Sequence, residues 1–272
     1  MNSVFIKSFI QQKDSIIWSC QDSIAIDTIR NRFAIADGIT NSYHPEVFSQ
    51  LLCQYYIEKF DEVSASFTYN LPMLCTSWER KIDNLESMLS GRKLQHARIK
   101  RSTLPAGAST FAGIEIDIQC QICKYHIIGD STLFIINNDR MKAICSNNQD
   151  TTITNIVQYD DYPDCICADG TIKGDIMIGQ EPLQDGFILL MTDGMAKWFQ
   201  NEYEIDRNVV EQLWTLANNE DFLLLTEKYR INGNLDDDLA LIIMKVNKPV
   251  KACELVYAPQ IPPIVTINKD NQ

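Results

Sequence analysis

The stretch that most constrains the fold of this 272-residue chain runs from Phe187 to Trp198 and reads FILLMTDGMAKW. The residues that precede its acid are large and apolar, which leaves no side chain for a solvent-facing surface. This pattern predicts a strand that is covered on both faces. The strand ends at Asp193-Gly194 and so delivers one carboxylate to the end of a sheet. A partly desolvated carboxylate needs a partner, and a bound cation is the strongest one available.

The same design occurs three more times in the chain. Phe33–Gly38 reads FAIADG, and His126–Ser131 reads HIIGDS. Leu235–Val246 reads LDDDLALIIMKV, so here the acids lead into the apolar strand instead of ending it. An Asp-Gly pair by itself is first of all a turn signal. Four strand ends of this kind are hard to attribute to turns alone, and we expect their aspartates to meet at one edge of a sandwich.

The patterns along the chain predict a single α+β domain. Alternating residues over 22–29 and apolar residues over 32–37 indicate a hairpin, which places Asp22 and Asp37 at the same end. Two helical stretches follow, and after them come a meander of strands, further helices and a last strand. The expected helices cover residues 45–60 and 74–99, with a break at Gly91 and a connector over 61–73 that contains Pro72.

These patterns divide the chain into a main domain over residues 1–247 and a Pro-rich C-terminal extension over 248–272. Residues 146–184 are polar, irregular and rich in Asp, and we expect them to leave the sheet as a flap over the site.

Composition excludes several classes of partner. The formal net charge of -12 and a pI of about 4.7 repel phosphate backbones and anionic lipid, so we expect neither nucleic acid nor a membrane as a partner. The nine cysteines show no framework of disulfide spacings, which is typical of reduced thiols. No apolar run approaches the ~20 residues of a membrane span. We therefore expect a cytoplasmic protein.

Clustered carboxylates suit Mg²⁺ or Mn²⁺, because these hard cations prefer oxygen ligands. Two such ions could activate water and clamp a phosphoryl oxygen, so the chain would need no Ser, Cys or His nucleophile. The three histidines, His44, His96 and His126, have no evident catalytic partner in the sequence.

Six short motifs carry a resemblance to a known family. In order they are Cys20-Gln21-Asp22, Ala36-Asp37-Gly38, Gly107-Ala108-Ser109-Thr110, Ile128-Gly129-Asp130-Ser131, Thr192-Asp193-Gly194 and Asp237-Asp238-Leu239. This series resembles the metal-dependent protein phosphatases (PPM, type 2C), and most of all a bacterial branch whose first motif reads Gln-Asp. The resemblance covers about residues 15–246. It implies a four-layer α-β-β-α sandwich, in which two antiparallel sheets are flanked by helices.

The resemblance also implies a role for each acid. Asp37 would bridge two metal ions, and the Gly38 carbonyl would bind the second of them. Asp193 and Asp237 would bind the first ion, and these three aspartates would be the catalytic residues. Asp22 would act close by, and Asp130 matches an acid that helps to hold a weaker third ion. Asp236 and Asp238 compete with Asp237 for its role, and the middle acid is our choice.

The chain departs from the family pattern at four positions. Members carry an Arg or a His before the Gln-Asp to grip the phosphate, whereas Lys13 is the one cation over residues 8–20. Thr40 and Thr132 stand where a second Gly and an Arg are usual. Lys197 stands where many members have an Asp for the third ion, and we interpret it as a solvated lysine rather than as a substitute for that ion.

We conclude that the sequence favours a Mg²⁺- or Mn²⁺-dependent phosphatase that hydrolyses phosphoserine or phosphothreonine on proteins through a metal-bridging hydroxide. Its partners would be a phosphorylated protein and a Ser/Thr kinase or that kinase's target. One alternative is a phosphatase-like binding or regulatory module with weak turnover, which the missing Arg or His and Lys197 favour. A less favoured alternative is another carboxylate-metal phosphohydrolase such as a nuclease, against which the charge of -12 argues.

Overall fold

A computed structural model describes residues 2–13, 20–59, 67–137, 140–146, 157, 159, 162–231 and 237–259, with the side chains of residues 67–70 left aside. The strands are β1 (Ser3–Gln11), β2 (Ser23–Asp27), β3 (Arg32–Ala36), β4 (Ala108–Ser109), β5 (Phe111–Asp117), β6 (Ile122–Ile128), β7 (Thr132–Asn137), β8 (Arg140–Ile144), β9 (Cys165–Cys167), β10 (Ile172–Lys173), β11 (Met177–Pro182), β12 (Gly186–Met191), β13 (Leu239–Val246) and β14 (Ala252–Tyr257). The helices are α1 (Pro45–Lys59), α2 (Phe67–Ser87), α3 (Gly91–Thr103), α4 (Asp193–Ile205), α5 (Val209–Thr215) and α6 (Asn219–Ile231).

The strands form two large sheets and one small sheet. The first sheet has the order β14-β1-β13-β12-β7-β8, and the second has the order β11-β6-β5-β3-β2. The small sheet has the order β10-β9-β4. The two large sheets pack face to face, and helices cover their outer faces. This arrangement confirms the predicted α+β class and the α-β-β-α layers.

Three clusters of buried side chains fill the spaces between the layers. One lies between the two sheets and includes Ile35 and Leu190. A second lies between the first sheet and α4, α5 and α6, and it includes Phe199 and Phe222. The third lies between the second sheet and the helices α1 and α2, around Tyr56. Each large sheet is therefore covered on both faces.

The double coverage explains why β12 is apolar at nearly every position. Phe187, Leu189 and Met191 point to the helix side, whereas Ile188 and Leu190 point to the second sheet. Successive side chains of a strand point to opposite faces, so a strand in a middle layer needs apolar residues at both parities.

One feature of the sheets differs from the expectation of purely antiparallel sheets, and another concerns the C-terminal extension. β14 pairs with β1 in parallel, although the pairs within the rest of the first sheet are antiparallel. β14 also lies within the predicted C-terminal extension, so residues 252–257 belong to the edge of the first sheet. Residues 260–272 lie outside the described part of the chain.

Two connecting segments also differ from the prediction. α2 begins at Phe67 and contains Pro72, so the predicted connector is too long, and only its first residues stay outside the described part. Residues 177–182 form β11, which pairs with β6, and are therefore part of the second sheet rather than of a flap. The predicted break at Gly91 is confirmed, since α3 begins there with φ of 55°. In the described ranges, no helix is both long and apolar enough to cross a membrane.

Candidate metal centre

Strand register brings the acid-bearing strand ends to one end of the sandwich. In the second sheet Ser23 pairs with Ala36, so Asp22 and Asp37 lie next to this pair at the open end of the hairpin. In the first sheet Met191 pairs with both Leu241 and Thr132. The end of β12 therefore lies beside the beginnings of β13 and β7, which carry Asp237 and Asp130 just before them. The sequence prediction that these aspartates meet is confirmed by this register.

Asp22 is buried and ties the two sheets together. Its Oδ2 accepts a hydrogen bond of 2.7 Å from the hydroxyl of Thr192, the residue that follows β12. The same hydroxyl accepts a bond of 3.0 Å from the backbone N–H of Ala240 in β13. Thr192 thus links a carboxylate of the second sheet to two strands of the first.

The backbone around Asp37 is fixed by the loop that contains β4. The Asp37 carbonyl accepts bonds from the hydroxyl of Ser109 at 2.7 Å and from the N–H of Thr110 at 2.9 Å. The next residue must be a glycine, because a Cβ atom at Gly38 would lie 2.8 Å from the Cβ of Pro45 at the start of α1. The half-buried Asp37 carboxylate is therefore attached to a backbone that has little freedom to move.

Asp193 is the first residue of α4 and is held by its own helix. Its Oδ1 accepts the N–H of Gly194 at 2.6 Å, and its Oδ2 accepts Lys197 Nζ at 2.8 Å, one turn further along the helix. Gly194 has no room for a side chain, since a Cβ there would lie 2.9 Å from the Cβ of Asp237. That close approach brings the last acidic motif against the start of α4.

The Lys197 side chain is about half exposed, but the interpretation of a merely solvated lysine is wrong. Besides its bond to Asp193, the ammonium lies 5.3 Å from the ring centroid of Tyr159. Burial lowers the pKa of Lys197, but Asp193, Asp130 and Asp237 outweigh this effect and raise the pKa above its ordinary value. Lys197 is therefore a cation that is built into the acidic cluster.

The two described acids of the last motif have different surroundings. Both oxygens of the buried Asp238 accept backbone N–H groups at 2.7 Å, one from Lys13 and one from Gln21. Asp238 thus binds the backbone at Lys13, after β1, and at Gln21, before β2. Asp237 faces Asp193 instead, which agrees with the choice of the middle acid. Asp236 lies outside the described residues.

Asp130 is 2% exposed and sits in the turn between β6 and β7. Gly129 before it has φ of 85°, a conformation that favours glycine, and its N–H donates to the hydroxyl of Ser146 at 2.6 Å. The Asp130 carbonyl accepts the Thr132 hydroxyl at 2.8 Å. The turn therefore places a buried carboxylate beside Asp37 and Lys197.

Burial and neighbouring carboxylates raise the pKa values of three of these aspartates. Burial raises the pKa of Asp37 well above its ordinary value, and the carboxylates of Asp22, Asp193, Asp130 and Asp237 raise it further. The pKa of Asp22 is raised for the same two reasons, first by burial and then by Asp238. Burial and Asp193 also raise the pKa of Asp237.

This set of oxygen donors fits hard divalent cations. A divalent cation would offset the repulsion among the aspartates, which the single ammonium of Lys197 does not fully offset. Within the described ranges, no three His, Cys, Asp or Glu side chains already stand as ligands around one point. The reason is visible in the hydrogen bonds: Asp22 is turned to Thr192, and Asp193 to Lys197. Carboxylates that repel each other form hydrogen bonds with other donors. A divalent cation would have to replace these hydrogen bonds.

The roles of three residues of the centre were not recognised from the sequence. Thr192 and Asp238 hold the site by hydrogen bonds, and Lys197 supplies a positive charge. A spacing of four residues between Asp193 and Lys197 at the start of a helix is a signal for an ion pair and could have revealed the last of them.

The family comparison agrees with this geometry. Residues 18–228 match the family model described as Protein phosphatase 2C, and the chain belongs to that family. No curated protein matches the chain by sequence. Membership in the family makes the chain a metal-dependent protein phosphatase of the serine/threonine class.

Solved structures share the fold at low sequence identity. The photosystem II phosphatase PBCP has a TM-score of 0.58 and is 14% identical over 90% of this chain and 99% of its own. The catalytic domain of the phosphatase PstP, in complex with two manganese ions, has a TM-score of 0.55 and 15% identity over 90% and 99%. Stp1 from Staphylococcus aureus has a TM-score of 0.54 and 14% identity over 89% and 94%.

The different surroundings of Asp237 and Asp238 predict opposite behaviour on substitution. Asp238→Asn loses one of two charge-assisted bonds to the backbone and should lower the free energy of unfolding by about 1–3 kcal/mol. Asp237→Asn removes a repelled charge, so stability in EDTA should be unchanged or higher, while affinity for Mn²⁺ falls at least about tenfold. Urea unfolding in EDTA and calorimetric titration with Mn²⁺ measure the two effects. The assignment fails if the two variants exchange these behaviours.

The Lys197–Asp193 ion pair predicts competition between the ammonium and a metal ion. Lys197→Met keeps the length of the side chain but frees Asp193, so Mn²⁺ should bind roughly 3–10 times more tightly, as expected for one ion pair of about 1 kcal/mol. The matched control is Lys173→Met, an exposed lysine on β10. Calorimetry that gives the same affinity for wild type and Lys197→Met would contradict this competition.

Proposed function

We propose that this phosphatase removes phosphate from phosphoserine or phosphothreonine on proteins and uses Mg²⁺ or Mn²⁺. Asp37, Asp193 and Asp237 are the proposed catalytic ligands, together with the carbonyl of Gly38. Asp22 acts close by, and Asp130 helps with a weaker third ion. The observation that supports this proposal is that strand register and the Thr192–Asp22 hydrogen bond bring the acid-bearing strand ends to one end of the sandwich.

The cluster carries the chemistry because the histidines are engaged elsewhere. His44 pairs with Glu46, and His126 is buried beside Tyr56, with its pKa lowered to about 4 by burial and by Arg32. His96 is exposed on α3. In this proposal the nucleophile is water. Bound divalent cations activate water for in-line attack at phosphorus and draw charge from the phosphoryl oxygens.

The chain's own residues prepare this reaction in three ways. The Asp37 carbonyl accepts the Ser109 hydroxyl and the Asp193 carboxylate accepts the N–H of Gly194, and these bonds limit the movement of both residues. Thr192 keeps Asp22 at the junction of the sheets. Asp238 fixes the backbone at Lys13, after β1, and at Gln21, beside Asp22. Such a fixed set of charges needs no reorganisation as negative charge builds up on phosphorus.

A second candidate, a phosphatase-like binding module with weak turnover, is favoured by one observation. Lys197 already satisfies one oxygen of Asp193, so a metal ion must compete for this ligand. Turnover in the presence of saturating Mn²⁺ separates the two candidates, since a binding module would take up the ion and the phosphoprotein without releasing phosphate.

We also propose that the protein works in the cytoplasm on a Ser/Thr kinase or that kinase's target. All nine cysteines are free thiols, and Cys165 and Cys167 remain unbridged although their sulfur atoms are 3.9 Å apart. Unpaired cysteines in this number suit a reducing compartment.

Hydrolysis of a phosphothreonine peptide tests the proposed function. We expect phosphate release with Mn²⁺, none with EDTA, and a loss of at least about 100-fold for Asp37→Asn and Asp193→Asn, because each removes a charge from the proposed metal ligands. Asp175→Asn, an exposed acid before β11, is the matched control and should keep the wild-type rate. Equal turnover in EDTA, or unchanged turnover in both site variants, would contradict the proposal.

A further inference from the structure

The helix α3 is a concentrated block of positive charge in an acidic chain. Its 13 residues contain five of the chain's 24 Lys and Arg residues and no acid, although the chain as a whole has a net charge of -12. None of its residues is buried. A helix with neither a buried face nor balancing acids contributes little to the core, and its charge needs another explanation.

Four of the five cations of α3 are exposed, and the fifth, Arg101, faces α2. Leu94, Ala97 and Arg101 are its half-buried residues, and their spacing of three and four residues marks one stripe. Arg101 holds this stripe to α2 through Asp83 at 2.8 Å and Glu86 at 3.3 Å. The opposite face is therefore the one that is open to a partner.

That open face carries a regular row of basic side chains. Arg92, His96 and Lys100 are each four residues apart, and Lys93 lies beside them; all four are exposed. Within the described part of the chain, the side chains of Arg92, Lys93 and Lys100 form no ion pair or hydrogen bond. Ile99 adds an apolar side chain that is 59% exposed. We call these five residues the α3 basic face.

The α3 basic face is linked to the metal centre through a short path. α3 ends at Thr103, and only five residues later Ala108 begins β4. The carbonyls of Pro105 and Ala108 accept the N–H groups of Tyr43 and Ile39 at 2.8 Å each, in the loop that follows Gly38. The C-terminal end of α3 is therefore joined by backbone hydrogen bonds to the loop that follows Gly38.

We propose that the α3 basic face binds an acidic, extended segment of the phosphoprotein substrate that flanks the phosphorylated residue. This inference rests on the proposed function and adds a preference for acidic substrates to it. A step of four residues along a helix is about 6 Å. Every second residue of an extended chain repeats at about 6.6 Å, so Asp or Glu at alternate positions matches the spacing of Arg92, His96 and Lys100. The acidic centre repels such a segment, and the basic face offsets that repulsion.

The experiment compares two phosphothreonine peptides that differ in their flanks. One flank carries Asp or Glu at alternate positions, and the other carries Gln at those positions. The α3 variant is Arg92→Gln/Lys93→Gln/Lys100→Gln, which keeps good helix formers. The control variant is Lys173→Gln/Lys248→Gln/Lys251→Gln, which removes the same charge from exposed lysines outside α3.

Wild type should show a lower KM for the acidic peptide than for the Gln peptide, and the difference should shrink as salt increases. The α3 variant should raise the KM for the acidic peptide about tenfold, the equivalent of three weak exposed pairs, with kcat and the Gln peptide unaffected. The control variant should behave as wild type. Equal KM values for the two peptides in wild type, or equal effects of the two variants, would overturn the proposal.

Binding is also measured without catalysis, by fluorescence anisotropy of the two labelled peptides in EDTA. If neither peptide is hydrolysed but the acidic one binds through α3, the proposed function fails and the docking proposal stands. If both are hydrolysed without a preference for acid, the reverse holds. Binding of phosphatidylserine vesicles or a DNA duplex through α3 without binding of the acidic peptide would overturn the proposal in favour of another anion. Self-association that the α3 variant abolishes, again without peptide binding, would do so in favour of a second copy.

Discussion

Repulsion among aspartates at one end of the sandwich is the constraint on which the rest of the structure depends. Burial and neighbouring charges raise the pKa of Asp22, Asp37 and Asp237, so each of these side chains is less stable as an anion here than in water. Such a cluster persists only if the surrounding fold is stable enough to hold it together. The three clusters of buried side chains between the layers provide that stability. Lys197 and the backbone donors reduce the repulsion locally.

The sandwich architecture explains how the acids come from distant parts of the sequence. Antiparallel pairing of β2 with β3, and of β12 with β13 and β7, turns consecutive strands back to the same end. The connections at that end carry the acids, because Asp22 precedes β2, Asp37 follows β3, Asp130 precedes β7, and Asp193 and Asp237 lie at the two ends of the segment between β12 and β13. The hydrogen bond from the Thr192 hydroxyl to Asp22 joins the two sheets at this end, and two N–H groups donate to Asp238. The position of the metal centre is therefore set by strand register and by a few buried polar contacts.

Much of this arrangement could be predicted from the sequence because it depends on local patterns. The doubly apolar β12 required two covered faces, and the hairpin of β2 and β3 required Asp22 and Asp37 to share an end. Features that depend on tertiary contacts were missed. The parallel pairing of β14 follows from an open edge beside β1, and β11 is a strand because β6 offers it an edge. The choice among three adjacent acids for one role depends on what each carboxylate contacts in the fold, which the sequence pattern does not specify.

The central claim is that the carboxylate cluster is a divalent-metal centre, and the most direct test is the stability of the wild-type protein as a function of Mn²⁺ concentration. A ligand that binds the native state alone stabilises it by about 2.7 kcal/mol at a concentration of 100 Kd. For a chain of this size, we expect the unfolding midpoint to rise by roughly 5–11 °C under those conditions. The increase should continue with the logarithm of the metal concentration and disappear with EDTA. A midpoint that is the same in EDTA and in millimolar Mn²⁺ would contradict the account.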